Sequence, residues 1–359
     1  MAAIVGKGLN FRAIAAAACI ALFLGACAPV RVPAGPPVDA PKVQNDIFVA
    51  ADGAVLPVRR WLPEGDHKPG HPRGVILAVH GFNDYSKAFD AVPDAPGVGP
   101  FLAARGFAVY AYDQRGFGNA PHFGFWPGSE ALTADFGAFV RVLHVRYPGV
   151  PVYGLGESMG GAVIMTAMAA SDPPPLNGVV LVAPAVWGRA TMPWLYRVAL
   201  WVSDHVMPGW KPTGRSLGRQ ASDNIEMLRD NARDPLFIKR TRIDSVAGLV
   251  DLMDSAARAA GRQRLPMLYL TGSNDQIIPP KAAALAMDRL LAADRHAKGA
   301  FYDQSWHMML RDHEGPTVLA DIAAYLNDPA APLPSGADVD ALARLQARAK
   351  KPWVEKTDK

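Results

Sequence analysis

Cysteine is almost missing from this 359-residue chain: there are two, Cys19 and Cys27, both near the N-terminus. That scarcity excludes a disulfide-stapled scaffold and a thiolate metal centre. The nine histidines are dispersed, and His67 and His71 flank Pro69-Gly70 with no further ligand nearby, so no metal site is expected. No glycine-rich phosphate loop precedes a helix other than a segment at residues 156–161 with a different character, and no cofactor is implied. Charge is also thin. Charged residues make up 19% of the chain, the formal net charge is +4, and the basic residues are spread out, which gives nucleic acid no footing. Lys350, Lys351, Lys356 and Lys359 gather at the C-terminus, as a solvated end or a weak contact with anionic headgroups. What is plentiful is apolar: 50% of the residues are hydrophobic, enough for a sizeable core and incompatible with disorder throughout.

The N-terminus carries Lys7 and Arg12, then an apolar run from Ala13 to Leu24, then Gly25-Ala26-Cys27. The run is short of the roughly 20 residues that cross a bilayer and has the layout of a signal peptide, residues 1–26. Leu24-Gly25-Ala26-Cys27 resembles the lipobox of bacterial lipoproteins, in which the residue matching Cys27 is acylated. The resemblance implies a membrane partner through an N-terminal lipid anchor and a place in the bacterial cell envelope, on the outer membrane or the periplasmic face. Cleavage before Cys27 would leave one thiol, carrying the lipid, and no intramolecular disulfide. Residues 27–45 are rich in proline and small side chains and predict an extended tether.

Beyond the tether, Asp46 to Ala50 and Ala54 to Trp61 flank Asp52-Gly53, the pattern of a β-hairpin. Gly74 to Val79, Phe107 to Tyr112, Val150 to Leu155, Gly178 to Ala183, Met267 to Thr271 and Ala300 to Tyr302 are short apolar runs ending in loops. Helical patterns separate them, around Pro100 to Arg105, Glu130 to Tyr147, Met159 to Ala170 and Lys281 to Leu291, and a last helix covers Pro316 to Leu326. Alternating β and α units predict an α/β fold, a mostly parallel, doubly wound sheet covered on both faces. It divides as core over 46–184 and 263–328, with a helical insertion over 185–262 that is far longer than an ordinary connection. A tail, 329–359, has a Pro-rich stretch and a short amphipathic piece, Val339 to Ala349, with no assigned role.

The strand at Val150 to Leu155 runs into Gly156-Glu157-Ser158-Met159-Gly160-Gly161, and a helix follows at once. A serine hydroxyl attacks well only when its backbone turns so sharply that the oxygen stands clear, and glycines two residues to either side permit that turn. Ser158 is the expected nucleophile. Its acid and base should follow in the order Asp or Glu, then His. Asp275 lies just past the strand Met267 to Thr271, and His307 just past the strand ending at Tyr302, both at the carboxyl edge where catalytic loops gather. His313, beside Glu314, is the rival base and reads as a surface or packing histidine. The backbone amides of Met159 and Phe82, the latter in His80-Gly81-Phe82-Asn83, are the expected oxyanion donors. His80 reads as a structural support for that loop.

These landmarks, together with Asp113-Gln114-Arg115-Gly116-Phe117-Gly118 and Asn274-Asp275 before Pro279, resemble the lipase-like α/β-hydrolases that group monoacylglycerol lipases, lysophospholipases and serine aminopeptidases. The likeness covers roughly Asp46 to Leu326 and implies an α/β-hydrolase fold with a helical cap. In that family the positions of Asp113 and Arg115 look structural. The chain departs at Asn83-Asp84-Tyr85-Ser86, where relatives often have Gly-Glu-His-Ser. It departs again at Asn119, where they have serine, and at Glu157, where many have histidine; Glu157 either repels an anionic substrate or points away.

A serine esterase acting on monoacylglycerols, lysophospholipids or similar acyl esters through an acyl-enzyme is the leading expectation. An aminopeptidase is the alternative, with Glu226, Asp230, Asp244, Asp251 and Asp254 available to hold a substrate amine. A non-catalytic envelope protein is a third. The cap opens with Trp187, Trp194, Tyr196, Trp201 and Trp210. Trp194, Tyr196 and Trp201 are expected to line an acyl groove, or else to pack the cap onto the core. No protein partner is indicated.

Overall fold

The computed structural model describes residues 28–64, 71–213 and 218–353. The signal peptide 1–26, Cys27 and His67 lie outside the described residues. The strands are β1 Lys42–Gln44, β2 Ile47–Val49, β3 Val55–Trp61, β4 Gly74–Val79, β5 Phe107–Tyr112, β6 Val152–Glu157, β7 Gly178–Val182, β8 Met267–Gly272 and β9 Lys298–Tyr302. They form one sheet in the order β1-β2-β3-β5-β4-β6-β7-β8-β9. The stretch from β5 to β9 is parallel, while β1, β2 and β3 add an antiparallel margin. Strands β4, β5, β7 and β8 are buried at every position, because helices cover both faces and leave no side for a polar alternation.

The flanking helices are α1 Val98–Ala103, α2 Ser129–Arg146, α3 Met159–Met168, then, beyond the cap, α7 Pro280–Ala293 and α8 Gly315–Asn327. Two cores result. One holds Phe48, Tyr110, Phe136, Ile164, Tyr269 and Met287; the other holds Ile76, Leu102, Val109, Leu270, Leu319 and Tyr325. The hairpin of β2 and β3 pairs Val49 with Val55 across a turn in which Gly53 takes φ 81°.

The predicted tether does not stand off the domain. Residues 42–44 pair with β2, the Val32 amide donates to the Trp126 carbonyl (3.0 Å), and Arg31 forms an ion pair with Asp251 (3.1 Å). An extended proline-rich segment carries unpaired backbone groups, and the open edge of β2 and the acids of the cap supply partners for them.

The insertion contains α4 Trp194–Val206, α5 Ile225–Arg233 and α6 Ile243–Ala259. Helix α6 lies on α3, the helix that follows Ser158, and α4 rests on α6. The last stretch is part of the domain as well. Leu333, Ala337, Ala341 and Leu345 are buried, and the Phe301 amide of β9 donates to the Ala337 carbonyl (2.9 Å), so the chain past α8 covers the open edge of the sheet.

Candidate active site

Strand β6 ends in the sharp turn the glycines anticipate. Ser158 adopts φ 52° and ψ −113°, a conformation costing a serine on the order of 1–3 kcal/mol. Neighbours hold it there: the Ser158 amide donates to the Val182 carbonyl, and its own carbonyl accepts from Ala185, both at 2.9 Å. A Cβ on Gly160 would lie 2.0 Å from the Val79 oxygen, and one on Gly156 2.5 Å from the Gly161 nitrogen, so only glycine fits at either place.

The structure brings Ser158, His307 and Asp275 into one hydrogen-bonded line. His307 Nε2 lies 2.9 Å from Ser158 Oγ, and His307 Nδ1 lies 2.8 Å from Asp275 Oδ2. A carboxylate only accepts, so Nδ1 carries the hydrogen and Nε2 is left to receive the serine proton. The other oxygen of Asp275 accepts the Ile277 and Ile278 amides at 2.7 and 2.9 Å, which fixes the carboxylate's direction. Burial works against the charged imidazolium of His307. The charge and hydrogen bond of Asp275, with Glu157 farther off, outweigh it and hold the pKa above the ordinary histidine value. His313 is exposed, and its amide donates to Asp223.

The loop opposite is braced from behind. His80 Nδ1 donates to the Gly81 carbonyl (2.8 Å), its Nε2 accepts the Gln114 amide (3.0 Å), and the Gln114 side chain returns a bond to the His80 carbonyl (2.9 Å). Complete burial pushes the His80 pKa down, so the ring is a neutral brace. A Cβ on Gly81 would come within 3.4 Å of the Ser158 Cβ, which sets the start of the His80-Gly81-Phe82 loop directly beside Ser158. Among the described residues, neither the Phe82 nor the Met159 amide is taken by another protein acceptor, and both remain open to an incoming oxyanion.

Glu157 points away from the site. It is buried against Arg311 (3.0 Å), which also holds Asp84 (2.7 Å); burial pushes the Glu157 carboxyl up, and Arg311 opposes that. Two departures from the family pattern, at positions 84 and 157, therefore meet on one buried arginine, which sequence distance conceals. Arg115 is likewise structural, clamped between Asp52 (2.7 Å) and Asp135 (2.6 Å), while Asp113 accepts from Ser86 and Asn119.

Trp194, Tyr196 and Trp201 are corrected by the fold. Trp194 is 70% exposed and Trp201 63%, and in α4 only Asp204 is buried, so these two side chains neither line an enclosed groove nor pack the cap down. Tyr196 is half exposed and meets Trp187 edge-on. Helix α4 touches the rest of the protein mainly through α6, which leaves most of its surface without a protein neighbour.

Apolar walls come from elsewhere. A narrow crevice beside Phe82 is lined by Phe117, Phe125, Trp126, Ile238 and Thr241. The cap is fastened over it, since the Ile238 amide donates to the Asn83 carbonyl (2.9 Å) and Asn83 Nδ2 to Thr241 Oγ1 (2.8 Å). Ile238 and Thr241 fall in an irregular stretch between two helices and carry no periodic signal. A wider surface hollow, around Arg59, Arg60, Trp61 and Asp90, contains none of Ser158, Asp275 and His307.

The cap acids are largely occupied. Asp244 pairs with Arg242 (2.6 Å), Asp251 with Arg31 (3.1 Å) and Arg189 (2.8 Å), and Asp254 with Arg189 (2.5 Å). Asp230 and Glu226 are exposed on the outer side of α5, Asp230 beside Arg233.

Residues 70–314 match the family described as serine aminopeptidase, S33 (Hydrolase_4). Monoglyceride lipase of Rattus norvegicus is 29% identical over 316 residues, covering 84% of this chain and 94% of the relative. Monoacylglycerol lipase of Mycolicibacterium smegmatis is 28% identical, covering 78% and 95%. The crystal structure of Paleococcus ferrophilus monoacylglycerol lipase superposes with a TM-score of 0.61 at 22% identity, over 77% of this chain and 99% of that one. A soluble variant of monoglyceride lipase from Saccharomyces cerevisiae, in complex with a substrate analog, superposes with a TM-score of 0.61 at 17% identity, over 84% and 98%. The sheet order, the elbow and the matched span together place this chain in the serine aminopeptidase S33 family of α/β-hydrolases.

Proposed function

We propose that this carboxylic ester hydrolase cleaves single-chain acyl esters, of the monoacylglycerol or lysophospholipid kind, through an acyl-enzyme on Ser158. The reading rests on the unbroken line from Ser158 Oγ through His307 to Asp275 beneath two open amides. His307 takes the serine proton as Oγ attacks the ester carbonyl, and Asp275 steadies the imidazolium. The carbonyl oxygen becomes negative facing the Phe82 and Met159 amides. His307 then returns the proton to the leaving alcohol, and water repeats the sequence to release the fatty acid.

An ester rather than a peptide is favoured by the cap. A substrate amine needs a free carboxylate near the site, and Asp244, Asp251 and Asp254 already face arginines. The curated relatives described above are lipases by name, which points the same way.

The protein works at a lipid surface. Val30 and Arg31 dock on Asp244 and Asp251 of α6, the helix that carries exposed α4. Trp194, Leu195, Val198 and Trp201 leave an exposed apolar face on α4, of the kind that lies in a headgroup boundary. A lipid on Cys27 and this helix would meet the same membrane.

Ser158→Ala and His307→Ala should each lower turnover of p-nitrophenyl butyrate by roughly a thousandfold to a millionfold, and the double variant should be scarcely worse, since the two act as one unit. Labelling by a fluorophosphonate should vanish in Ser158→Ala. A Ser158→Ala protein that still reacts with the probe and turns over ester would refute the assignment.

A further inference from the structure

The chain past α8 reaches the catalytic-acid turn and grips it from outside. Helix α9, Ala341–Arg348, lies on β9 and α7, and Arg348 at its end spends every guanidinium nitrogen. Its Nε donates to the Ser273 carbonyl (2.9 Å), Nη1 to the Pro352 carbonyl (2.9 Å) and Nη2 to the Trp353 carbonyl (3.0 Å). The segment so folded back places Trp353 against Asp275, whose main-chain carbonyl accepts the indole Nε1–H at 3.1 Å. The indole is wedged between two parts of the cap. Trp187 meets it edge-on at 5.1 Å and 76°, and the Arg219 guanidinium lies 3.8 Å above its face.

The inner side of the same turn is pinned to the histidine loop. The Asn274 amide donates to the Ser305 carbonyl (3.0 Å) and its side chain to the Gln304 carbonyl (2.9 Å). The two outward carbonyls of the turn, at Ser273 and Asp275, are the ones the C-terminal segment holds. Covering the edge of β9 requires only Leu333, Ala337, Ala341 and Leu345. Nothing in that task calls for two side-chain donors aimed at carbonyls two residues apart on the acid turn.

We infer that the C-terminal segment is a clamp on the catalytic acid, with Arg348 and Trp353 as positioning residues for Asp275. The inference rests on the triad reading above. The acid works by holding the imidazole in place and supporting its charge as the serine proton arrives, and a displacement of its carboxylate by a fraction of an ångström weakens both. The clamp therefore acts on the chemical step and leaves ester binding alone. Asp275 is the charged group in contact with His307, Glu157 and Arg311 act on it from farther off, and of the three Asp275 alone is in contact with the clamp.

The test uses the full chain with Trp353→Phe, which keeps a ring against Trp187 and Arg219 but loses the N–H, and with Arg348→Met. Each variant removes one hydrogen bond to the acid turn and should lower kcat for p-nitrophenyl butyrate by about three- to tenfold, the range of one such loss, with KM within about twofold of the parent. The acid limb of the pH–rate profile should move to lower pH as Asp275 supports the imidazolium less well. In an Asp275→Asn background the same two substitutions should have no further effect on kcat, a non-additivity that a purely structural role would not produce. Unchanged kcat and pH profile in both variants would overturn the clamp. So would a raised KM with unchanged kcat, which would make Trp353 a wall of the binding site instead. Ester turnover surviving in Ser158→Ala would remove the triad reading and the clamp with it, and is separable because it needs no change in the C-terminal segment.

Discussion

The exposed face of α4 leads to a prediction whose size follows from area. A tryptophan side chain offers up to about 250 Å². At 70% and 63% exposure, Trp194 and Trp201 together leave roughly 330 Å² outside the protein, worth about 8 kcal/mol at ~25 cal/mol per Å² if all of it entered lipid. A helix lying in the headgroup boundary immerses one side only, so about half of that, ~4 kcal/mol or close to a thousandfold in partition, is expected. The double variant Trp194→Ala/Trp201→Ala should bind phosphatidylcholine vesicles that much more weakly. Both proteins should carry Cys27→Ala, so that partition depends on the helix and not on the anchor. Turnover of dissolved p-nitrophenyl acetate should stay at the parent level, while turnover of monoacylglycerol presented in vesicles should fall with the binding. Vesicle affinity within about threefold of the parent would refute the membrane reading. So would a loss on dissolved esters that grows with acyl length, which would return these side chains to an acyl groove.

Two further outcomes follow from the buried charges. Arg311→Leu leaves Asp84 and Glu157 buried without their cation and should cost about 3–5 kcal/mol in denaturant unfolding. Adding Asp84→Asn and Glu157→Gln should recover much of that loss, and an unshifted midpoint in the single variant would show the network to be inert. His307 accepts the serine proton only when neutral, and Asp275 keeps it protonated to higher pH than usual. The acid limb of kcat/KM should therefore have its midpoint above about 6.5 and move down in Asp275→Asn together with a large fall in kcat; a midpoint unmoved by that substitution would disconnect the limb from His307.

The core strands and the three residues that the structure joins by hydrogen bonds, Ser158, His307 and Asp275, were legible because each is a local signal. A parallel strand buried on both faces is a continuous apolar run, and the runs at Gly74 to Val79 and Phe107 to Tyr112 are strands with those same ends. The elbow needs glycine where a Cβ would strike Val79 or Gly161, so Gly156-Glu157-Ser158-Met159-Gly160 carries its geometry in its spelling. Asp275 and His307 follow strand ends, and in a doubly wound sheet the ends of strands far apart in sequence share one edge.

The amino-acid sequence thus determined the fold class, the parallel strands of the sheet and three residues at its carboxyl edge, because hydrophobic period, glycine sterics and chain order all act over a few residues. Only the tertiary structure decided the rest, because it depends on which surfaces end up facing one another. An aromatic-rich helix reads the same in a sequence whether it lines a pocket, packs on a core or faces outward, and the placement of α4 on α6 turned Trp194 and Trp201 outward. The pairing of Asp84 and Glu157 on Arg311, and the return of Trp353 to Asp275, join residues 227, 154 and 78 positions apart in the chain. No period or spacing encodes such contacts; they arise where the packed sheet edge, cap and C-terminal segment converge.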